Sequence, residues 1–173
     1  MLRARKRFGQ NFLVDSGIIQ KIIGSLDVNQ NDRVVELGPG RGALTQPLCE
    51  SRCDLTMIEV DRDLTAELSV RFPEAGLINQ DVMTIDFNAF AGKSPLRIIG
   101  NLPYNISTPL LFKLFDAGEH IHDMHFMLQR EVVDRMTALP STKAYGRLSV
   151  MAQLHCHTEK LFEVHPQAFS PSC

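Results

Sequence analysis

Two short stretches of this chain combine residue types and spacings that can do chemistry. The first, Glu36-Leu-Gly-Pro-Gly-Arg-Gly42, closes the apolar run Arg33-Val-Val-Glu-Leu37 and opens onto Ala43-Leu-Thr45. Glycines placed there let the backbone turn tightly and approach a ligand with no Cβ in the way. Glu59 stands 21 positions after Gly38 and ends a second apolar run. A carboxylate at that point can accept hydrogen bonds from both hydroxyls of a ribose. Loop and carboxylate together describe a site for an adenosine-containing cofactor.

Gly38, Gly40 and Ala43 also meet the loose G-x-G-x-x-A pattern of dinucleotide sites. Two features favour S-adenosylmethionine instead. Glu36, two residues before the first glycine, suits a cationic ligand end, and Asp81 in Gln80-Asp-Val82 can accept from an adenine amino group. No His or Lys is placed for hydride chemistry at the ends of the apolar runs.

The second stretch, Asn101-Leu-Pro-Tyr104, ends another apolar run. It suits methylation of an exocyclic adenine amine. That nitrogen is conjugated with its ring, so its lone pair is poorly available. The Asn101 side-chain oxygen and a backbone carbonyl in Leu102-Pro103 can accept its two N–H groups. They would favour a pyramidal nitrogen and stabilise the charge it gains. Tyr104 offers a face on which an unstacked base can lie, and Pro103 stiffens the turn.

The elements that must position these groups alternate. Ile18, Ile19, Ile22, Ile23 and Leu26 recur at helical spacing after Asp15-Ser16, a helix start. Strands are expected at 33–37, 55–60, 76–79, 96–101 and 125–128. Helices are expected at 43–48, up to about 72 before Pro73, at 109–117 and at about 130–139. Segments 148–157 and 160–164 read as a closing antiparallel strand pair. The expected fold is α/β: a Rossmann-like, doubly wound, seven-stranded, mostly parallel sheet with an antiparallel terminal pair. Ligands in such sheets sit beyond the carboxyl ends of the strands, where the winding reverses.

The net charge of −2 over 173 residues hides a segregation. Residues 1–26 carry five basic and one acidic side chain, residues 27–90 five and twelve, and residues 91–173 eight and seven. A basic arm at 1–14, with Arg5, Lys6 and Arg7, can contact phosphates ahead of an otherwise acidic domain at 15–173. Arg147 beside the polar loop 140–146 is a further phosphate candidate. No window is apolar enough to span a membrane, and the basic start lacks the apolar run of a secretory signal. Four unpatterned cysteines (Cys49, Cys53, Cys156, Cys173) suit a reducing cytoplasm. His120, His122 and His125, or His155, Cys156 and His157, complete no metal-ligand set, so no metal is expected.

Taken together, these motifs make the chain resemble the KsgA (RsmA) family of small-subunit (16S) ribosomal RNA adenine N6,N6-dimethyltransferases, from about Arg5 to Pro171. The resemblance rests on Arg7-Phe-Gly-Gln-Asn-Phe-Leu13, Glu36-Leu-Gly-Pro-Gly-Arg-Gly-Ala-Leu-Thr45, Ile58-Glu-Val-Asp61, Gln80-Asp-Val82 and Asn101-Leu-Pro-Tyr-Asn-Ile-Ser107. Met127-Leu-Gln-Arg-Glu-Val132 and Tyr145-Gly-Arg-Leu-Ser149 also fit. It implies a class I, S-adenosylmethionine-dependent enzyme of ribosome biogenesis, expected as a monomer. Its substrate would be a pair of adjacent adenosines near the 3′ end of the RNA, held in the small subunit. The resemblance places Asn11 and Leu13 at the cofactor, Gly38 and Gly40 in its loop, and Glu59 with Val60 at the ribose. It places Asp81 with Val82 at the adenine, Asn101 between the methyl and the target amine, and Tyr104 and Phe169 against the target base. The family pattern runs on into a helical C-terminal domain, whereas here Ser172 and Cys173 come after Pro171. Two alternatives stand beside this reading: a large-subunit rRNA methyltransferase conferring antibiotic resistance, and a ribosome-assembly module that binds without turnover.

Overall fold

The computed structural model describes residues 11–92 and 94–170. Arg5, Lys6, Arg7 and Cys173 lie outside the described residues. The described residues open with a two-residue strand, β1 (Phe12–Leu13), and helix α1 (Ser16–Leu26). Asp15 caps α1, its carboxylate accepting from the Ile18 N–H at 3.0 Å. Alternating units come next: β2 (Arg33–Leu37), α2 (Thr45–Glu50), β3 (Asp54–Glu59), α3 (Arg62–Arg71) and β4 (Gly76–Asn79). Then come α4 (Phe87–Ala91), β5 (Leu96–Asn101), α5 (Tyr104–Asp116), β6 (Ile121–Met127), α6 (Arg130–Met136), α7 (Arg147–His155) and β7 (Phe169–Ser170).

Five strands form one parallel sheet in the order β4-β3-β2-β5-β6. The chain winds outward from β2 to β4, then returns to place β5 on the other side of β2. The carboxyl ends of β2 and β5 therefore face a crevice at the switch in winding. Successive side chains of the central strands enter opposite cores. Val35 and Ile98 pack with α4 and α5, while their neighbours Val34 and Ile99 pack with α1 and α2. Burial on both faces is why these strands read as unbroken apolar runs rather than alternating ones.

The expected terminal strand pair is not formed. Segment 148–157 is mostly helix α7, and 156–165 is irregular. Leu148 and Ala152 are buried, and Met151 and Cys156 pack into the same cluster beside Leu111 and Phe115 of α5. That spacing of three and four is the helical period, and Met, Ala, Gln and Leu are good helix formers. The antiparallel pair that does exist is β1 with β7, a separate two-stranded ribbon, so the seven strands do not share one sheet. Of the expected basic arm, 11–14 fall among the described residues, and Phe12 and Leu13 are buried. Helix α5 starts earlier than expected, directly after β5, with Pro103 as its cap and Pro109 inside it.

Opposite the crevice, Arg97 at the start of β5 ties the base of the sheet. Its guanidinium grips Asp123 of β6 with two bonds (3.0 and 2.8 Å) and Asp32 with one (2.9 Å). It also donates to the carbonyls of Leu26 and Asp27 at the end of α1. A cation there suits the negative end of the helix.

Candidate active site

A continuous groove of about 1370 Å³ runs along the carboxyl ends of the strands and on beside β6. It exceeds the roughly 300–1,000 Å³ of a typical single small-ligand site. Asn11, Leu13, Glu36, Gly38, Gly40, Glu59, Val60, Asp81, Val82, Asn101, Leu102, Pro103, Tyr104 and Phe169 all line it. Residues chosen from six separate stretches of sequence thus converge on one surface. Arg147 is not in that lining. It is exposed at the start of α7, with its guanidinium 5.1 Å from the Phe112 ring centroid.

Gly38, directly after β2, is in a left-handed conformation, φ 63°, and nothing lies within 4 Å of where a Cβ would project. The space beside it belongs to the groove, so a ligand can lie directly on the backbone. Beneath the loop, Glu36 is buried. Its carboxylate accepts a 2.6 Å hydrogen bond from the hydroxyl of Thr45, which is fully enclosed at the start of α2. Sequence reasoning alone assigns Thr45 no role. The signal that could find it is a hydroxyl at the first turn of the helix that the glycine loop feeds.

Burial lifts the Glu36 carboxyl to about 7, against the lowering effect of the Thr45 bond, and the nearby Glu59 adds to the rise. From about pH 4.5 to 7 the folded chain keeps a proton that the unfolded chain has released. The stabilisation from this group is therefore full below the unfolded value and is lost as pH rises through about 7. Glu36→Gln removes the titration. Its stability relative to the parent is expected to rise between pH 5 and pH 8 by on the order of 3 kcal/mol, read as melting curves across that range. A constant difference between the two proteins would show that Glu36 is ionised throughout.

Glu59, the last residue of β3, is buried and accepts from the Asp61 N–H at 2.9 Å. Burial raises its pKa, while bonds from the backbone of Asp61, Gly40 and Val60 pull it back. The Gly40 contact links the carboxylate to the glycine loop. Val60, next along, is exposed and offers an apolar edge. Asp81 comes after β4 and does two things. One oxygen accepts from the Met83 N–H at 2.9 Å to make a turn, and the residue also faces the groove.

At the end of β5, the Asn101 amide nitrogen donates to the main-chain carbonyl of Asn11 at 3.1 Å. The Pro103 carbonyl is occupied, accepting from the N–H groups of Ile106 and Ser107 and from the Ser107 hydroxyl. Among the described residues, no hydrogen bond engages the Asn101 side-chain oxygen or the Leu102 carbonyl. Both acceptors are thus without a partner among the described residues. Tyr104, 68% exposed, starts α5 with its ring free to meet a partner. Phe169 in β7 is half-buried opposite Leu13 of β1.

No group of three or more His, Cys, Asp or Glu side chains able to hold a metal ion occurs among the described residues. His155 instead stacks on Phe115, with ring centroids 5.7 Å apart. No helix among them is long and apolar enough to cross a membrane.

Residues 1–173 match the family described as "Ribosomal RNA adenine dimethylase". A curated relative, "Ribosomal RNA small subunit methyltransferase A" of Acinetobacter baylyi, is 55% identical over 98% of this chain and 63% of its own length. The chain thus spans a little under two-thirds of that relative. Among solved structures, a dimethyladenosine transferase from Plasmodium falciparum superposes with a TM-score of 0.81. It is 28% identical, over 94% of this chain and 59% of its own. The 23S rRNA methyltransferase ErmE gives 0.77 at 25% identity, over 94% and 65%.

Proposed function

Because the chain belongs to the ribosomal RNA adenine dimethylase family, we propose that it transfers methyl groups from S-adenosylmethionine to the N6 amines of two adjacent adenosines. These lie near the 3′ end of small-subunit (16S) rRNA, and the product is N6,N6-dimethyladenosine. The observation that carries this reading is the turn after β5. It holds two uncommitted acceptors, Asn101 Oδ1 and the Leu102 carbonyl, beside a glycine loop built for a cofactor. The 55% identity to a relative named for the small subunit supports that target over the large one.

The groove fits such a cofactor. Gly38 leaves room for close approach, Glu59 can accept from the ribose hydroxyls, and Asp81 has a second oxygen for the adenine amine. Glu36 lies under the loop on the side suited to a cationic end. Once bound, the cofactor supplies an electrophilic methyl group on a sulfonium. Asn101 and Leu102 accept the two N–H groups of the target amine and turn its lone pair toward that methyl. As the N–C bond formed, the methyl's bond to sulfur would break and leave a neutral thioether; the positive charge would pass to the nitrogen, where the same two acceptors can stabilise it. Its proton can leave to water, so no strong base is needed. Tyr104 from one side and Phe169 from the other hold the unstacked base, each stack worth about 1–3 kcal/mol. Arg5, Lys6, Arg7 and Arg147 would meet RNA phosphates. We place the protein in the cytoplasm as a monomer acting on the small ribosomal subunit in ribosome biogenesis.

The test is methyl transfer from labelled S-adenosylmethionine to undermethylated small subunits. Label mapping to adjacent adenosines at the 3′ end of the RNA is the expected result. Label in large subunits instead would replace the target. Cofactor binding with no label in either particle would mark this chain as a binding module.

A further inference from the structure

The Asn101 amide is held by a part of the chain far away in sequence. Its partner at 3.1 Å is the main-chain carbonyl of Asn11. A main-chain carbonyl can only accept, so the Asn101 atom facing it must be the NH2 group. The amide is planar, and its oxygen therefore points away from Asn11. The terminal torsion of an asparagine is broad and roughly two-fold, so without this bond the amide could turn over. Its NH2 would then face the two donors of an incoming amine.

Asn11 is itself fixed through β1, the strand it leads into. Phe12 packs its ring against Gly40, 3.0 Å from the Cβ position there, and lies under the Arg41 guanidinium, 4.7 Å from the ring centroid. Phe12 and Leu13 pair with Ser170 and Phe169, and the Val14 N–H donates to the Ala168 carbonyl at 2.8 Å. This alternation puts the Ser170 N–H opposite the Phe12 carbonyl. The strand that carries Phe169 thereby also sets the position of Asn11.

We infer that the β1–β7 ribbon is a positioning device: it holds the Asn11 carbonyl where it fixes the Asn101 amide in the one orientation that presents its oxygen to the target amine. The inference rests on the reading that Asn101 meets that amine. Asn11 acts here through its backbone and Ser170 through its N–H, so neither is a catalytic residue. The ribbon couples the two ends of the described chain to the reacting centre.

The variant that tests this is Ser170→Pro, which deletes the Ser170 N–H. Phe169, at φ −113° and ψ 155°, already has the extended backbone that precedes a proline comfortably. Ser170→Ala keeps the N–H and serves as the conservative rescue. At saturating cofactor and small subunits, Ser170→Pro is expected to lower the single-turnover transfer rate about 10-fold or more. Cofactor affinity should stay within about three-fold, and Ser170→Ala should match the parent. A general structural weakening would instead move affinity and rate together. In parallel, amide exchange of 15N-labelled Asn101 is monitored by NMR. One Asn101 side-chain proton should be protected in the parent and in Ser170→Ala, and exposed in Ser170→Pro. A parent rate in Ser170→Pro despite the exposed amide would overturn the inference, as would an unprotected amide in the parent. If the parent methylates no adenine, the functional reading fails on its own. The protection pattern still decides whether the ribbon pins Asn101.

Discussion

Asn101→Ala is expected to reduce methyl transfer to small ribosomal subunits by about 100- to 1,000-fold while leaving cofactor affinity within a few-fold. The side chain contributes one of two free acceptors at the turn, and its nitrogen is already committed to Asn11. On the proposed function, truncation removes an acceptor for the target amine and leaves the rest of the groove untouched. Single-turnover transfer and calorimetric cofactor binding, measured on the same preparation, separate the two quantities. Transfer that survives intact would remove Asn101 from the chemistry. A collapse of cofactor affinity would make it a binding group.

Glu59→Ala is expected to act in the opposite sense, weakening cofactor binding by about 1–3 kcal/mol, roughly 5- to 150-fold in Kd. The carboxylate lies at the end of β3 with one oxygen holding the Asp61 N–H. On the proposed function, removing it deprives the ribose of an acceptor; it also leaves the buried Asp61 N–H without one. Glu59→Gln keeps a carbonyl for Asp61 but loses the charge, so it should fall between parent and alanine variant. Equal affinities across the three proteins, read by calorimetry, would take Glu59 out of the site.

Much of this site is legible in the sequence because it is built from strand ends. Each β2–β5 unit delivers its last residue to the same edge, so local motifs at Glu36–Gly42, Glu59, Asp81 and Asn101 need only the rule that ligands gather at the switch in winding. Three features are not legible, each for a physical reason. The ribbon consists of two-residue strands near opposite ends of the described chain, and so short a pairing leaves no periodicity. Helix α7 reads as a strand because its polar residues fall close to alternation over 148–157. The packing of Leu148, Met151 and Ala152 on α5 decides the matter, and that contact is tertiary. The choice between the Leu102 and Pro103 carbonyls depends on where α5 begins. Pro109 suggests a later start than Tyr104, and with that start Pro103 would keep its carbonyl free.

Arg97 concentrates its ties at one end of the sheet. It gathers α1, the turn before β2, β5 and β6 into one charged knot at the amino ends of the strands. The carboxyl ends hold the loops that border the groove, and that knot does not reach those loops. Small local openings of these loops can then occur without disturbing the knot, each far cheaper than melting the domain. Breathing at the rim and endurance at the base become separate properties, set by different residues and free to be altered one at a time.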